Sequence, residues 1–274
     1  MTEPALRAIH LYPVKSIAGS GPGEAVVEPW GLAGDRRWMV VDAGRKLLTQ
    51  RPLPRMALAH AEELAAGALR LTAPGMPPLT VEVPEPGATI PVEHFRDKIE
   101  AVSAGAAAAA WFSEFLGVQA ELVHLDAPEM RRPVDPEYSE PGDTVTFADG
   151  YPLLLTATAS LDALNSLIAQ GDHADEGPLP MSRFRPNVVV DGTAPWAEDG
   201  WRRVRIGEVV FQVAKPSARC VVTTTDQRTA ERGKEPLRTL GRHHRFAGGL
   251  IFGQNLIPRG TGTIRVGDPF EILD

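Results

Sequence analysis

The chain has 274 residues, 43% of them hydrophobic, which is ample for a buried core and more than one core usually holds. A net charge of -7 and a pI near 5.6 argue against a nucleic-acid partner, although a local basic pocket for a small anion remains open. The single cysteine excludes an internal disulfide and fits a reducing compartment. The N-terminal stretch shows no signal-peptide pattern and no run approaches the roughly 18 apolar residues of a membrane span, so the expectation is a cytoplasmic protein with no membrane partner.

Glycine (26) and proline (25) are spread along the chain without a repeat, which favours short strands joined by turns. Residues 6–12 read as a first strand running into Lys15-Ser16, and a Gly-rich stretch (19–23) follows. Residues 38–41 and 46–49 flank an Asp42-Ala43-Gly44 turn, a hairpin signature. Short strands are expected at 58–60, 68–72 and 79–83, punctuated by Pro-Gly turns at 74–75 and 84–87. Residues 106–116, rich in alanine, predict a helix with Ser103 as a nearby cap and Gly117 as its stop; Trp111, Phe112 and Phe115 give it a packing face. A strand is expected at 122–125. Residues 126–152 carry five prolines and many charges, the pattern of an interdomain crossing or a loop over a site, with Arg131 and Arg132 read as solvated. An amphipathic helix over 160–170 precedes strands at 188–190, 201–206 and 209–213. A strand-like run at 219–225 and strands at 261–266 and 270–273 complete the chain.

Cys220 follows Arg219, whose charge favours the thiolate form that ligates soft metals. The alternative is an inert, small, buried hydrophobe. A lone cysteine cannot build a structural zinc site, and the adjacent His243-His244 point in different directions and are read as surface residues or at most a docking patch. A metal on Cys220 would need most of its coordination from a cofactor. Lys15-Ser16, Asp35-Arg36-Arg37, and Arg183 with Arg185 and Asn187 each place donors at a strand-to-loop junction, a chemistry suited to phosphate oxygens. Residues 19–23 lack the spacing of a dinucleotide or P-loop fingerprint, and no Gly-x-Ser-x-Gly elbow is present.

In order along the chain stand LYPVKS (11–16), GDRRWMVVD (34–42), SLDALN (160–165), FRPNVVVDG (184–192), ARCVVTTTD (218–226), EPLRTL (235–240), FGQN (252–255) and GTIRVGDP (262–269). As a set they resemble MOSC-domain proteins that carry the MOSC N-terminal β-barrel domain, and most of all the amidoxime-reducing branch. The resemblance implies an α+β, mainly β fold: an N-terminal β-barrel-like domain over 1–125, of which residues 1–36 can pack with the second half, and a MOSC domain with peripheral helices over 126–274. It implies a molybdenum cofactor (Mo-molybdopterin) with Cys220 as the protein ligand on the metal. Cofactor contacts would come from Lys15, Ser16 and Arg36 in the first half and from Arg185, Asn187, Ala218 and Arg219 in the second. Thr156, Thr158 and Asn255 align with contacting positions but differ in residue type, and Ala218 stands where relatives carry serine.

The activity so implied is reduction of N-hydroxylated compounds, such as amidoximes, hydroxylamines and N-hydroxypurines. No cysteine set exists for a fused iron–sulfur domain, so electrons are expected from a separate cytochrome b5-, flavodoxin- or ferredoxin-like protein. Asp226, six residues beyond Cys220, is a candidate proton donor, with a turn aspartate as the alternative. A rival reading is a molybdenum-cofactor or sulfur carrier module of the cofactor sulfurase type.

Overall fold

The computed structural model describes residues 3–85 and 87–274, so Pro86 of the expected 84–87 turn lies outside the described residues. The first half contains β1 (Ala5–Ile9), β2 (Glu24–Glu28), β3 (Gly31–Leu32), β4 (Trp38–Asp42), β5 (His60–Glu63), β6 (Leu69–Thr72) and β7 (Leu79–Val81). The hairpin β8 (Thr89–His94) and β9 (Asp97–Ser103), the helix α1 (Ala106–Leu116) and β10 (Ala120–His124) follow. The second half contains α2 (Pro128–Arg131), β11 (Leu153–Ala157), α3 (Thr158–Ile168), β12 (Val188–Asp191), β13 (Arg203–Ile206) and β14 (Val209–Ala218). It ends with α4 (Leu237–His243), β15 (Arg245–Phe246), β16 (Gly249–Pro258), β17 (Gly262–Arg265) and β18 (Phe270–Ile272).

The large sheet runs β1-β12-β11-β16-β14-β13-β18, with β15 added on β16. Its edges meet, because Leu6 N–H donates to Asp268 O (2.9 Å) and Gly267 N–H to Leu6 O (2.8 Å), and the sheet rolls into a nearly closed barrel. The fold is mainly β with peripheral helices. β11 reads Leu-Leu-Leu-Thr-Ala and is buried throughout, as expected of a strand covered on both faces. β2 alternates exposed and buried residues because only one face meets the core. The first half builds two further sheets, β4-β10-β9-β8 and β5-β6-β7. α1 packs Trp111, Phe112 and Phe115 into their shared core. It stops at Gly117, whose φ of 70° suits a residue without Cβ, while Gly105 rather than Ser103 holds its N-cap position.

The chain start belongs to the barrel, since β1 pairs antiparallel with β12. Residues 10–18 then cross to the first-half sheets through the bridges Val14↔Trp38 and Ala18↔His60. That crossing carries Lys15 and Ser16 into the seam between the two halves.

Three sequence expectations are corrected. The strand expected at 219–225 ends at Ala218, and Val221–Thr224 form a 3-10 turn with Cys220 at its N-cap. The hydroxyls of Thr223 and Thr224 donate to the carbonyls of Cys220 and Val221 (2.9 Å each), a local bonding option that outweighs β propensity here. The first strand stops at Ile9 rather than Tyr12. Arg132 is not solvated: it is 6% exposed, and its guanidinium donates to Asp97 and to the carbonyls of Thr146, Ala148 and Asp149.

Candidate functional site

A cleft of about 310 Å³ opens along the seam. Lys15, Ser16, Arg36, Arg185, Asn187, Ala218, Arg219, Cys220 and Asn255 all line it, although they come from five separate stretches of chain. Arg51, Arg183 and Lys215 raise its cations to seven, against one carboxylate, that of Asp149. In a chain of net charge -7 this is a local inversion of sign, of the kind that concentrates an anionic ligand.

Tyr12 organises the centre. Two guanidinium groups pack on its buried ring, Arg36 at 4.5 Å and Arg185 at 4.2 Å from the ring centroid. Arg36 donates to Asp35 (2.6 Å), to Asn187 Oδ1 (2.8 Å) and to the carbonyl of Arg185 (3.2 Å). Arg185 donates to Ile17 O (2.8 Å). The Asn187 amide in turn donates to His10 O and accepts from Leu154 N–H, so it fixes Arg36 against the barrel. Ser16, Arg36 and Arg185 all hold left-handed backbone (φ 65°, 48° and 53°), a cost borne by non-glycine residues mostly where function or packing demands it.

Arg219 closes one end of the cleft. It donates to Ser217 Oγ and to Phe184 O (2.7 Å each), while its buried Nε has no partner among the described residues. Cys220 stands beside it, half-buried and lining the cleft. Arg183 ties the Cys220 turn in place by donating to Thr224 O (2.9 Å) and Asp226 (3.1 Å).

Asp149 escaped the sequence reading. Its carboxylate accepts from Lys15 Nζ at 2.5 Å, and Arg132 grips the carbonyls on either side of it from behind. Burial pushes the Lys15 ammonium down to about 8, with Asp149 opposing the fall; the Lys15 charge in turn holds the Asp149 carboxyl far below its usual range. The Asp149 side chain is 77% exposed although protein surrounds it, because solvent reaches it through the cleft. Burial lowers Arg185 to about 10, which leaves it charged at neutral pH. No local pattern in the sequence pairs Asp149 with Lys15, 134 residues away.

Three expected residues lie elsewhere. Thr156 is fully buried, and its hydroxyl donates to Met181 Sδ (3.2 Å). Thr158 bonds Val190 O (3.4 Å) at the start of α3 and does not line the cleft. Asp226 does not line it either: its carboxylate accepts from Arg183 and from the backbone N–H groups of Arg228 and Thr229. Those bonds outweigh its burial and hold its carboxyl below the usual carboxylate range, and they commit it to the turn that follows Thr225.

Among the described residues no three His, Cys, Asp or Glu side chains cluster to hold a metal. The donor set is one thiol facing a row of phosphate-suited cations, including a buried guanidinium Nε that still lacks an acceptor. It fits a phosphorylated organic group that brings its own metal ligands, and it does not fit a bare ion.

Fold and cleft together define a two-part β protein that presents a single thiol at the end of a cationic seam. The chain belongs to the MOSC family: the MOSC N-terminal beta barrel domain matches residues 3–119 and the MOSC domain residues 142–271. It is 32% identical to mitochondrial amidoxime-reducing component 1 of Homo sapiens over 96% of this chain and 81% of that protein. It is 30% identical to a molybdenum cofactor sulfurase of Oryza sativa subsp. japonica over 90% of this chain and 32% of that protein. The YuaD protein of Bacillus subtilis superimposes with a TM-score of 0.43 at 10% identity, over 98% of this chain and 94% of that one. No helix among the described residues is long and apolar enough to cross a membrane.

Proposed function

We propose that the chain holds a molybdenum–molybdopterin cofactor in the cleft and reduces N-hydroxylated compounds such as amidoximes with electrons from a separate carrier protein. The observation that carries this reading is the convergence of Lys15, Arg36, Arg185 and Arg219 on a cleft that ends at the only thiol of the chain. The names of its relatives, amidoxime-reducing components and molybdenum cofactor sulfurases, support the same chemistry.

In this reading Lys15, Ser16, Arg36, Arg185 and Arg219 hold the phosphate-bearing part, and Cys220 ligates the metal as its thiolate. When bound, the group supplies two-electron chemistry that removes the oxygen of an N–OH bond. The protein supplies position and charge. The Tyr12 ring, with the Asn187 bond to Arg36 and the Ile17 carbonyl on Arg185, keeps both guanidinium groups aimed before any ligand arrives, so little ordering entropy is lost on binding. Lys15 Nζ carries its proton at neutral pH and is held on Asp149 Oδ1 within the cleft. Arg183 and the threonine hydroxyls fix the turn that presents Cys220.

The test is anaerobic turnover of benzamidoxime by molybdenum-loaded protein with reduced methyl viologen as electron source. Conversion to benzamidine by the wild type and none by Cys220→Ser supports the reading. No turnover by fully loaded protein would overturn it, and a persulfide on Cys220 in metal-free protein, seen by intact mass, would favour the sulfurase-type carrier instead.

A further inference from the structure

We propose that the exposed face formed by α4 and the β15 edge is the docking surface for a small acidic electron-carrier protein. The proposal rests on the reductase reading above, which requires such a carrier, and adds where it docks.

The charge distribution is the first ground. α4 and β15 carry Arg238, Arg242, His243 and Arg245 and no carboxylate of their own, in a chain whose net charge is -7. Glu235, just ahead of α4, is buried and spends its carboxylate on the Thr239 N–H (3.0 Å). The Arg238 and Arg242 side chains are 55% and 44% exposed and share one partner, Asp172. Arg245 and His243 are exposed and make no ion pair among the described residues. In a chain of net charge -7, a face that carries cations attracts an acidic protein.

The second ground is an apolar anchor. Phe246 is 36% exposed at the tip of the β15–β16 hairpin, next to Arg245 in the chain. Exposed aromatic residues and arginine are the types enriched at protein–protein contacts.

The third ground is position relative to the cleft. Arg245 pairs with Leu250, and the Leu250 carbonyl accepts the Arg219 N–H at 2.7 Å. Two strand spacings, about 10 Å, therefore separate Arg245 from the residue next to Cys220. Packed rings also join patch and cleft wall: Phe246–His244 (5.0 Å), His244–Trp196 (4.0 Å), Trp196–Phe252 (6.0 Å) and Phe252–Phe184 (3.9 Å), with Phe184 lining the cleft. A carrier seated here is joined to the cleft wall through these packed rings. Two docking events deliver two electrons, which with two protons convert one N–OH to N–H and water.

The experiment measures the second-order rate of reduction of the molybdenum-loaded protein by three acidic probes: a flavodoxin, a plant-type ferredoxin and soluble cytochrome b5. The variants are Arg238→Glu with Arg245→Glu, Phe246→Ser, and Arg245→Lys as the charge-keeping control. The expected result is a wild-type rate with at least one probe that falls as salt rises. That rate drops about tenfold or more in the double charge reversal and less in Phe246→Ser, and Arg245→Lys keeps it. Molybdenum content and turnover with reduced methyl viologen stay at the wild-type level in every variant. Equal rates for wild type and charge reversal, or reduction by none of the three probes while methyl viologen drives turnover, would overturn the docking surface alone. Failure with methyl viologen as well would sink the reductase reading beneath it.

Discussion

Replacing Asp149 by asparagine removes the one counter-charge among the described residues that touches the Lys15 ammonium. The bond is short, 2.5 Å, and of the charge-assisted kind, for which a loss of about 1.5–3 kcal/mol is usual. The Lys15 side chain is 6% exposed but that of Asp149 is 77% exposed, so water replaces part of what is lost; the lower end, about 1.5 kcal/mol, is expected for Asp149→Asn. Burial already presses Lys15 from its usual 10.5 to about 8, and without the carboxylate it falls further. Because the folded protein holds this proton less tightly than the unfolded chain, the charged lysine is a cost below about pH 8. That cost recedes as pH rises from about 8 towards 10.5, so over this window wild type gains about 3 kcal/mol on Lys15→Met. Urea unfolding of wild type, both single variants and the double variant at pH 7, repeated through pH 10.5, reads both effects. A coupling of at least about 1 kcal/mol between the two positions is expected. Asp149→Asn within about 0.3 kcal/mol of wild type, together with a pH-independent difference for Lys15→Met, would refute the buried-pair reasoning.

Other outcomes follow from single contacts. Arg132→Ala strands the Thr146, Ala148 and Asp149 carbonyls and is expected to cost about 2–4 kcal/mol in urea unfolding, with Arg132→Lys recovering less than half because it lacks the guanidinium fork. Gly253→Ala places a Cβ 2.5 Å from the Leu155 carbonyl at a φ of +82°, and its midpoint in the same assay should reflect a loss of at least about 2 kcal/mol. Asp226→Asn keeps an oxygen acceptor for the Arg228 and Thr229 amides but loses the charge that meets Arg183. It should cost about 1 kcal/mol and leave the pH profile of benzamidoxime turnover unmoved.

Much of the barrel was legible because its signals are local. Gly117 ends α1 as the alanine-rich run and the stop signal require. The β13–β14 hairpin turns at Gly207-Glu208, as alternating apolar residues around a glycine imply. The Cys220 turn was misread because five β-branched residues in a row look like a strand, whereas Thr223 and Thr224 spend their hydroxyls on backbone carbonyls one turn back. Long-range partners left no mark at all. Asp149 lies 134 residues from Lys15, and Arg132 lies 35 from Asp97; neither pairing has a periodicity to reveal it. The family resemblance led to the cleft residues at 15, 16, 36, 185, 187, 218, 219, 220 and 255. It also named Thr156 and Thr158, whose side chains lie off the cleft lining and bond Met181 and Val190.

The central claim is tested most directly by counting molybdenum atoms per chain, by plasma mass spectrometry, in wild type and Cys220→Ser purified from molybdate-supplied cells, with circular dichroism to confirm that both are folded. The account predicts close to one atom per wild-type chain and almost none in the folded serine variant. A serine variant that keeps its full complement of metal, or a wild type that never acquires any, would contradict it.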